Sequence, residues 1–158
     1  MAITTEEIYS TLNDLIQTCK DGEEGFRAAA QGVQSPKLRT FFQEYAQQRS
    51  KFSSELQSIV SRLGGRAENS GSVGGALHRG WMNIKSAVTG KDEGAIIAEA
   101  ERGEDVAVDT YRKAMAKDLP GDIRDIVERQ YKQILEAHNR IRSLELTMKS
   151  GTSYPQNT

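Results

Sequence analysis

The sequence predicts an all-α protein, a four-helix bundle with a long crossover between the second and third helices. Apolar residues recur at steps of three and four along four long segments, which is the helical period. The three prolines lie outside the interiors of those segments, where proline would break a helix. Short turns join the first two and the last two segments, whereas a long connection separates the two pairs. The pattern therefore indicates two antiparallel helical hairpins joined by one crossover.

The first hairpin carries clear helix start and stop signals. A capping box at Thr4 precedes the first helix, at about 5–33. Ser35 is a good N-cap for the second helix, and Pro36 suits its first position. Gly64 is a natural left-handed cap for the end of that helix. Because the turn between the two helices is short, we expect them to lie antiparallel.

The crossover, residues 64–91, is rich in Gly, Ser and Asn at both ends, but apolar residues inside it recur at helical spacing. We therefore predict a short extra helix at about 73–88. The second hairpin follows, with helices at about 92–117 and 120–149. The tail, 150–158, lacks periodicity and is predicted to be flexible.

Length and composition limit the classes of function. A chain of 158 residues fits one domain, which we assign to residues 1–149. Lys and Arg total 21 against 22 Asp and Glu, so charge gives no attraction to nucleic acid. No apolar run is long enough to span a bilayer, and we expect no signal peptide. Cys19 is the single cysteine, so no internal disulfide can form, and we expect a cytoplasmic protein.

Polar residues fall on the apolar stripes at one predicted level, midway along the bundle. A buried carboxylate is costly unless it has a partner. The guanidinium of Arg49 can bond two carboxylates, so the first interpretation is a buried triad of Glu23, Arg49 and Glu104. The full predicted polar network is Glu23, Gln48, Arg49, Glu104 and Gln130.

A metal centre is the alternative interpretation of the same level. Ferritin-like proteins hold two metal ions there, with one Glu from each of two helices and Glu-x-x-His from the other two. Iron or manganese in a di-iron-like protein or oxidase would then be the cofactor. The candidate ligands are Glu23, Glu44, Glu104 and Glu128. Gln47 and Tyr131 stand where the motif needs His, and Arg49 would repel a cation, so we expect no cofactor.

Other candidates have simpler interpretations. Cys19 lies on an apolar stripe and is expected to be a small core residue. His138 borders a stripe and is expected to be packed or hydrogen-bonded rather than a ligand. Three acidic residues near the central level are expected to face solvent: Glu99, Glu101 and Asp105.

The crossover also holds a conspicuous patch, formed by His78, Arg79 and Trp81. We expect the helix that carries it to dock on the outside of the bundle. The alternative is a module that uses this patch to bind a protein partner or an apolar ligand. The sequence does not decide the oligomeric state, and a homodimer stays open.

Several segments resemble a bacterial, mostly proteobacterial, family of four-helix-bundle proteins of unknown function in the ferritin-like superfamily. The segments are LNDLIQTCKDGEEGFRAAA, FFQEYAQQRSKFSSELQ, GALHRGW and ERGED, and the likeness covers about residues 6–146. The resemblance implies a ferritin-like fold with a crossover, but no established activity. Iron chemistry is not carried over, because the Glu-x-x-His motifs are missing. We expect a non-enzymatic protein with ion pairs at its centre, in an interaction or stress-related role.

Overall fold

The computed structural model describes residues 3–66 and 80–149, and all the regular structure among them is helical. The helices, in chain order, are α1 (Thr5–Gly32), α2 (Pro36–Arg62), α3 (Ile84–Thr89), α4 (Glu93–Met115) and α5 (Gly121–Lys149). The four long helices match the predicted ones to within a turn, so the all-α bundle class is confirmed. Within the described ranges, no helix is both long enough and apolar enough to cross a membrane.

The ends of the helices follow from local side chains. The Thr4 hydroxyl accepts a hydrogen bond from the backbone N–H of Glu7 at 3.1 Å, and the Glu7 carboxylate accepts one from the backbone N–H of Thr4. Ser35 and Asp92 cap α2 and α4 in a similar way, each accepting from a backbone N–H three residues later. The caps predicted at Thr4 and Ser35 are therefore present, and Gly64 has the predicted left-handed conformation, with a φ of 84°.

The predicted crossover helix, 73–88, requires a correction. Residues 80–83 lie outside any helix, and only α3 is helical in the described part of the crossover, since 73–79 lie outside the described residues. Gly80 has a φ of 94°, a left-handed conformation that an α-helix does not contain. The chain turns at this glycine and directs Trp81 into the bundle.

Contacts at the two ends give the direction of each helix. The carboxylate of Glu93, in the first turn of α4, accepts from the backbone N–H groups of Gln34 at 2.6 Å and Ser35 at 3.0 Å. The turn between α4 and α5 lies at the opposite end, where Leu119 belongs to the same apolar cluster as Ile8. The crossover therefore begins and ends at opposite ends of the bundle, and α1 and α4 are antiparallel.

The apolar core has two halves, and all four long helices contribute to both. One half, around Leu12 and Leu56, lies towards the turn between α4 and α5. The other half, around Phe26 and Trp81, lies towards the turn between α1 and α2. Along α2 the boundary between the halves falls at Arg49, which is fully buried. A polar layer therefore divides the core at mid-height.

Trp81 is a wedge between α1 and α4. A Cβ atom at Gly25 of α1 would lie 2.2 Å from Cδ2 of the indole, and one at Gly103 of α4 would lie 2.1 Å from Cε2. The ring of Phe26 meets the indole edge-on, with 5.0 Å between the centroids. Glycine inside a helix costs about 0.5–1 kcal/mol relative to alanine. Here the two glycines open the slot in which the indole is buried.

We expect Gly25→Ala to lower the free energy of unfolding by roughly 1–3 kcal/mol, because the added methyl group overlaps with the indole. Urea denaturation would measure this loss. Trp81 is the single tryptophan, so a red-shifted emission of the native variant would report that the indole has been displaced. Gly121→Ala is the matched control, since nothing lies within 4 Å of a Cβ atom there. Equal stability of the two variants would contradict the wedge.

Candidate functional site at the centre of the bundle

Arg49 of α2 and Glu104 of α4 form a bidentate ion pair across the core. Arg49 Nη2 donates to Glu104 Oε2 at 2.6 Å, and Arg49 Nη1 donates to Glu104 Oε1. Both side chains are 0% exposed. The third guanidinium nitrogen, Nε, donates to the side-chain oxygen of Gln48 at 3.2 Å. This fork geometry gives the strongest kind of side-chain hydrogen bonding available to a carboxylate.

Helix α1 makes room for the guanidinium. A Cβ atom at Gly22 would lie only 3.3 Å from Nη1 of Arg49, so this glycine keeps space for the charged group. The ring of Phe26 lies one turn further along α1, with its centroid 5.2 Å from Cζ of Arg49, at cation–π distance. Helix α1 therefore offers the guanidinium an open space and an aromatic face.

Glu23 lies outside this ion pair, and the predicted triad of Glu23, Arg49 and Glu104 does not form. The Glu23 carboxylate pairs instead with Arg27 in α1, at 2.6 Å, and its side chain is 19% exposed. Consecutive helical residues differ by about 100° around the axis. Because Gly22 faces Arg49, Glu23 points to the side of the helix. The apolar stripe in the sequence allowed either of these two residues to face the centre.

The charge on Arg49 is fixed by its partner. Burial by itself disfavours the charged guanidinium. The negative charge of Glu104 and the hydrogen bonds to it outweigh this effect, so the pKa of Arg49 is raised above its already high ordinary value. The centre of the bundle therefore holds a permanent positive charge.

A second polar chain runs from the core to the face between α2 and α5. Gln130 donates from Nε2 to Glu55 Oε1 at 2.8 Å, and its Oε1 accepts from the Tyr111 hydroxyl at 2.7 Å. Because that bond uses the only hydrogen of the hydroxyl, the Cys19 thiol is the donor in its 3.1 Å contact with Tyr111. Glu55 also pairs with Arg129. Each member of the chain thus donates to the next one, in the order Cys19, Tyr111, Gln130 and Glu55.

Burial keeps the protons on the inner members of this chain. It raises the pKa of Cys19 from 9.0 to about 11, although the positive charge of Arg49 opposes this rise. The pKa of Tyr111 is also raised well above its ordinary value, first by burial and then by its neighbour Cys19. Both groups are neutral at neutral pH, and a neutral, fully buried thiol is unreactive.

The other predicted metal ligands lie apart from Glu104. Glu44 is exposed on α2. Glu128 forms a salt bridge within α5, at 3.5 Å to Lys132, and its side chain is 43% exposed. In the ranges that the structure describes, no three His, Cys, Asp or Glu side chains are grouped so that they could hold a metal ion.

Glu99 is buried, which corrects the expectation that it faces solvent. Its carboxylate accepts a hydrogen bond from the backbone N–H of Asn83 at 2.6 Å, which links the turn before α3 to α4.

Of the other two acidic residues expected to face solvent, Glu101 is half-buried and Asp105 is exposed. Nε2 of His138 lies 2.5 Å from Oδ1 of Asp105, so this histidine is hydrogen-bonded.

The predicted crossover patch is only partly described. His78 and Arg79 lie outside the described residues. Trp81, its third member, is 1% exposed and packs in the slot between Gly25 and Gly103. The indole is therefore part of the core, and in this arrangement it offers no surface to a partner or ligand.

The bundle has a ferritin-like fold. The chain superposes on the crystal structure of a two-domain protein from Anabaena variabilis, which contains DJ-1/ThiJ/PfpI-like and ferritin-like domains, with a TM-score of 0.74. The sequences are 16% identical, and the match covers 99% of this chain and 41% of that chain, so the likeness shows the fold alone.

The sequence comparison then gives the family. Residues 7–117 match the family described as Domain of unknown function (DUF2383), and the chain belongs to that family. No curated protein matches the sequence. The family is thus known, and its description names no activity.

We expect Arg49→Met to lower the free energy of unfolding by roughly 3–5 kcal/mol, because Glu104 would keep a buried charge without a partner. The double variant Arg49→Met/Glu104→Leu should recover most of this loss, since it removes both charges from the core. Urea denaturation at neutral pH measures both variants. If the single variant is as stable as the wild type, Glu104 does not depend on Arg49.

We also expect the protein to lose stability as the pH rises above about 9. The pKa of Cys19 is about 11 in the folded chain against an ordinary 9.0, so folded protein keeps a proton that unfolded protein loses in this range. Stability from this group is complete below pH 9.0 and falls towards pH 11. Melting temperatures across this range measure the slope. Cys19→Ala should flatten it, and an unchanged slope would contradict this origin.

Proposed function

We propose that this chain is a non-enzymatic helical-bundle protein of the cytoplasm, in which a buried ion pair takes the place of a ferritin-like metal centre. The observation that carries the proposal is the fully buried pairing of Arg49 with Glu104. In metal-binding proteins of this class, carboxylates and histidines from four helices converge on two metal ions. Here the guanidinium supplies the positive charge that Glu104 needs, and it repels any cation that approaches the same carboxylate.

The polar chain beside the ion pair supports a structural role for the layer. Cys19 and Tyr111 keep their protons at neutral pH, so neither supplies a nucleophile. Glu55, the charged end of the chain, is paired with Arg129. Each polar group is thus used to satisfy another one, and such a connected network makes one arrangement of the helices more favourable than others.

The proposed role is therefore to present a fixed outer surface to a partner. The layer ties α2 to α4 through the ion pair and α4 to α5 through Tyr111 and Gln130. The buried free thiol of Cys19 is consistent with a reducing compartment. The competing function, a di-iron-like oxidase, would require a metal ion to displace Arg49 from Glu104.

Metal binding tests this proposal directly. We expect Fe(II), Mn(II) and Zn(II) to leave the melting temperature unchanged, and elemental mass spectrometry of untagged protein to find no stoichiometric metal. A metal that binds only the folded chain would add about 2.7 kcal/mol of stability at a hundred times its Kd.

Two variants separate a central metal site from a surface site. A metal-induced rise in melting temperature that disappears in Glu104→Gln would overturn the proposal, because it would place the metal at the centre. A rise that persists in Glu104→Gln but disappears in His138→Ala would assign the metal to the surface pair of His138 and Asp105. The proposal for the centre would then stand.

A further inference from the structure

A polar groove lies between α2 and α5, which meet only sparsely. Its volume is about 830 Å³, and its lining includes Glu55 and Arg129, which form a salt bridge. Glu44 and Lys51 line the α2 wall, and Arg62 lies one turn beyond it. These three exposed side chains form no ion pair with any other residue that the structure describes. The α2 wall thus carries charges that the described residues leave uncompensated.

Six polar residues follow one line along this wall of α2. Their positions are separated alternately by four and three residues, which is the spacing of a coiled-coil seam. They all have exposed or half-buried side chains, and five of them line the groove. We call this line the α2 seam, and its members are Glu44, Gln48, Lys51, Glu55, Ser58 and Arg62.

The α2 seam is complementary to itself when one copy is reversed. The charge alternates along the seam: Glu44 is negative, Lys51 positive, Glu55 negative and Arg62 positive. These four positions are arranged symmetrically about residue 53. If a second α2 lies antiparallel with a two-fold axis beside residue 53, Lys51 faces Glu55 of the other copy. Glu44 then faces Arg62. The remaining layer brings Gln48 opposite Ser58, two side chains that can share a hydrogen bond.

The parallel, in-register arrangement of two seams and the neighbouring antiparallel registers are opposed by like charges. Parallel, in-register pairing would set every charge against its own copy. An antiparallel shift by one heptad would set Glu44 against Glu55 in one direction, or Lys51 against Arg62 in the other. A shift by half a heptad would set Lys51, or Glu55, against itself. Like-charge contacts of this kind disfavour these alternatives relative to the register about residue 53, which also forms the largest number of opposite-charge pairs.

We propose that the α2 seam is the docking surface for a second copy of this chain, bound antiparallel about residue 53. The groove gives the second helix room beside α5. Glu55 can still meet Lys51 of the second copy, because its side chain is 40% exposed even while it is paired with Arg129. Since exposed ion pairs are individually weak and are screened by salt, the dimer forms at low ionic strength and dissociates at high ionic strength. This inference does not depend on what the bundle centre binds.

Charge reversal with mixing tests the register. Glu44 and Arg62 are chosen because neither pairs within the described chain. Glu44→Lys alone and Arg62→Glu alone each place like charges in two layers, so each should dimerise roughly 30-fold more weakly than the wild type. An equimolar mixture restores opposite charges in every layer and should recover the wild-type Kd. Sedimentation velocity at low salt measures all four samples.

A matched control separates the seam from general charge attraction. Glu24→Lys and Lys85→Glu change the net charge by the same amounts, at exposed positions outside α2. We expect these two variants to dimerise like the wild type, separately and mixed. A wild-type protein that stays monomeric at low salt would overturn the proposal. So would a mixture of the two seam variants that dimerises no better than either variant alone.

Discussion

The buried pairing of Arg49 with Glu104 is the interaction on which the arrangement of this bundle depends. The two residues come from different hairpins, so neither hairpin can satisfy its own charge. Removing a guanidinium and a carboxylate from water costs several kcal/mol per ion, and only good bidentate geometry offsets that cost. The pair therefore contributes little net stability. Its effect is to penalise every docking of the two hairpins that separates the charges.

Three glycines shape the centre as much as its large side chains do. Gly22 leaves space for the guanidinium, while Gly25 and Gly103 leave space for the indole of Trp81. All three glycines lie inside long helices, where glycine is unfavourable. Two of them lie on α1, a single turn apart, so one stretch of that helix accommodates both the charged pair and the aromatic wedge. The polar layer and the crossover are thus positioned by the same few residues.

The fold could be predicted from the sequence because its determinants are local. Helical periodicity, the caps at Thr4 and Ser35 and the lengths of the connections need no knowledge of distant contacts. The candidate site was predictable in part, since spacing alone placed Arg49 and Glu104 at one level. Glu23 was assigned to the centre wrongly because a stripe does not distinguish residues that differ by about 100° around the axis.

Two other features depend on contacts between segments that are distant in sequence. Glu99 is buried because a backbone N–H of the crossover reaches it, and no pattern within α4 indicates that partner. The slot for Trp81 did leave a signal, namely Gly25 and Gly103 in helix interiors. Those glycines indicate that something large approaches each helix, but the sequence alone does not say which side chain it is.

The wedge also restricts how this sequence can change over evolutionary time. A larger residue at Gly25 or Gly103 overlaps with the indole and destabilises the fold while the indole occupies the slot. Loss of the indole first would leave a cavity that costs about 3–5 kcal/mol, a large part of the stability of an ordinary domain. The three positions are therefore coupled. A lineage can abandon the wedge only by passing through a less stable ancestor, or by gaining stability elsewhere beforehand.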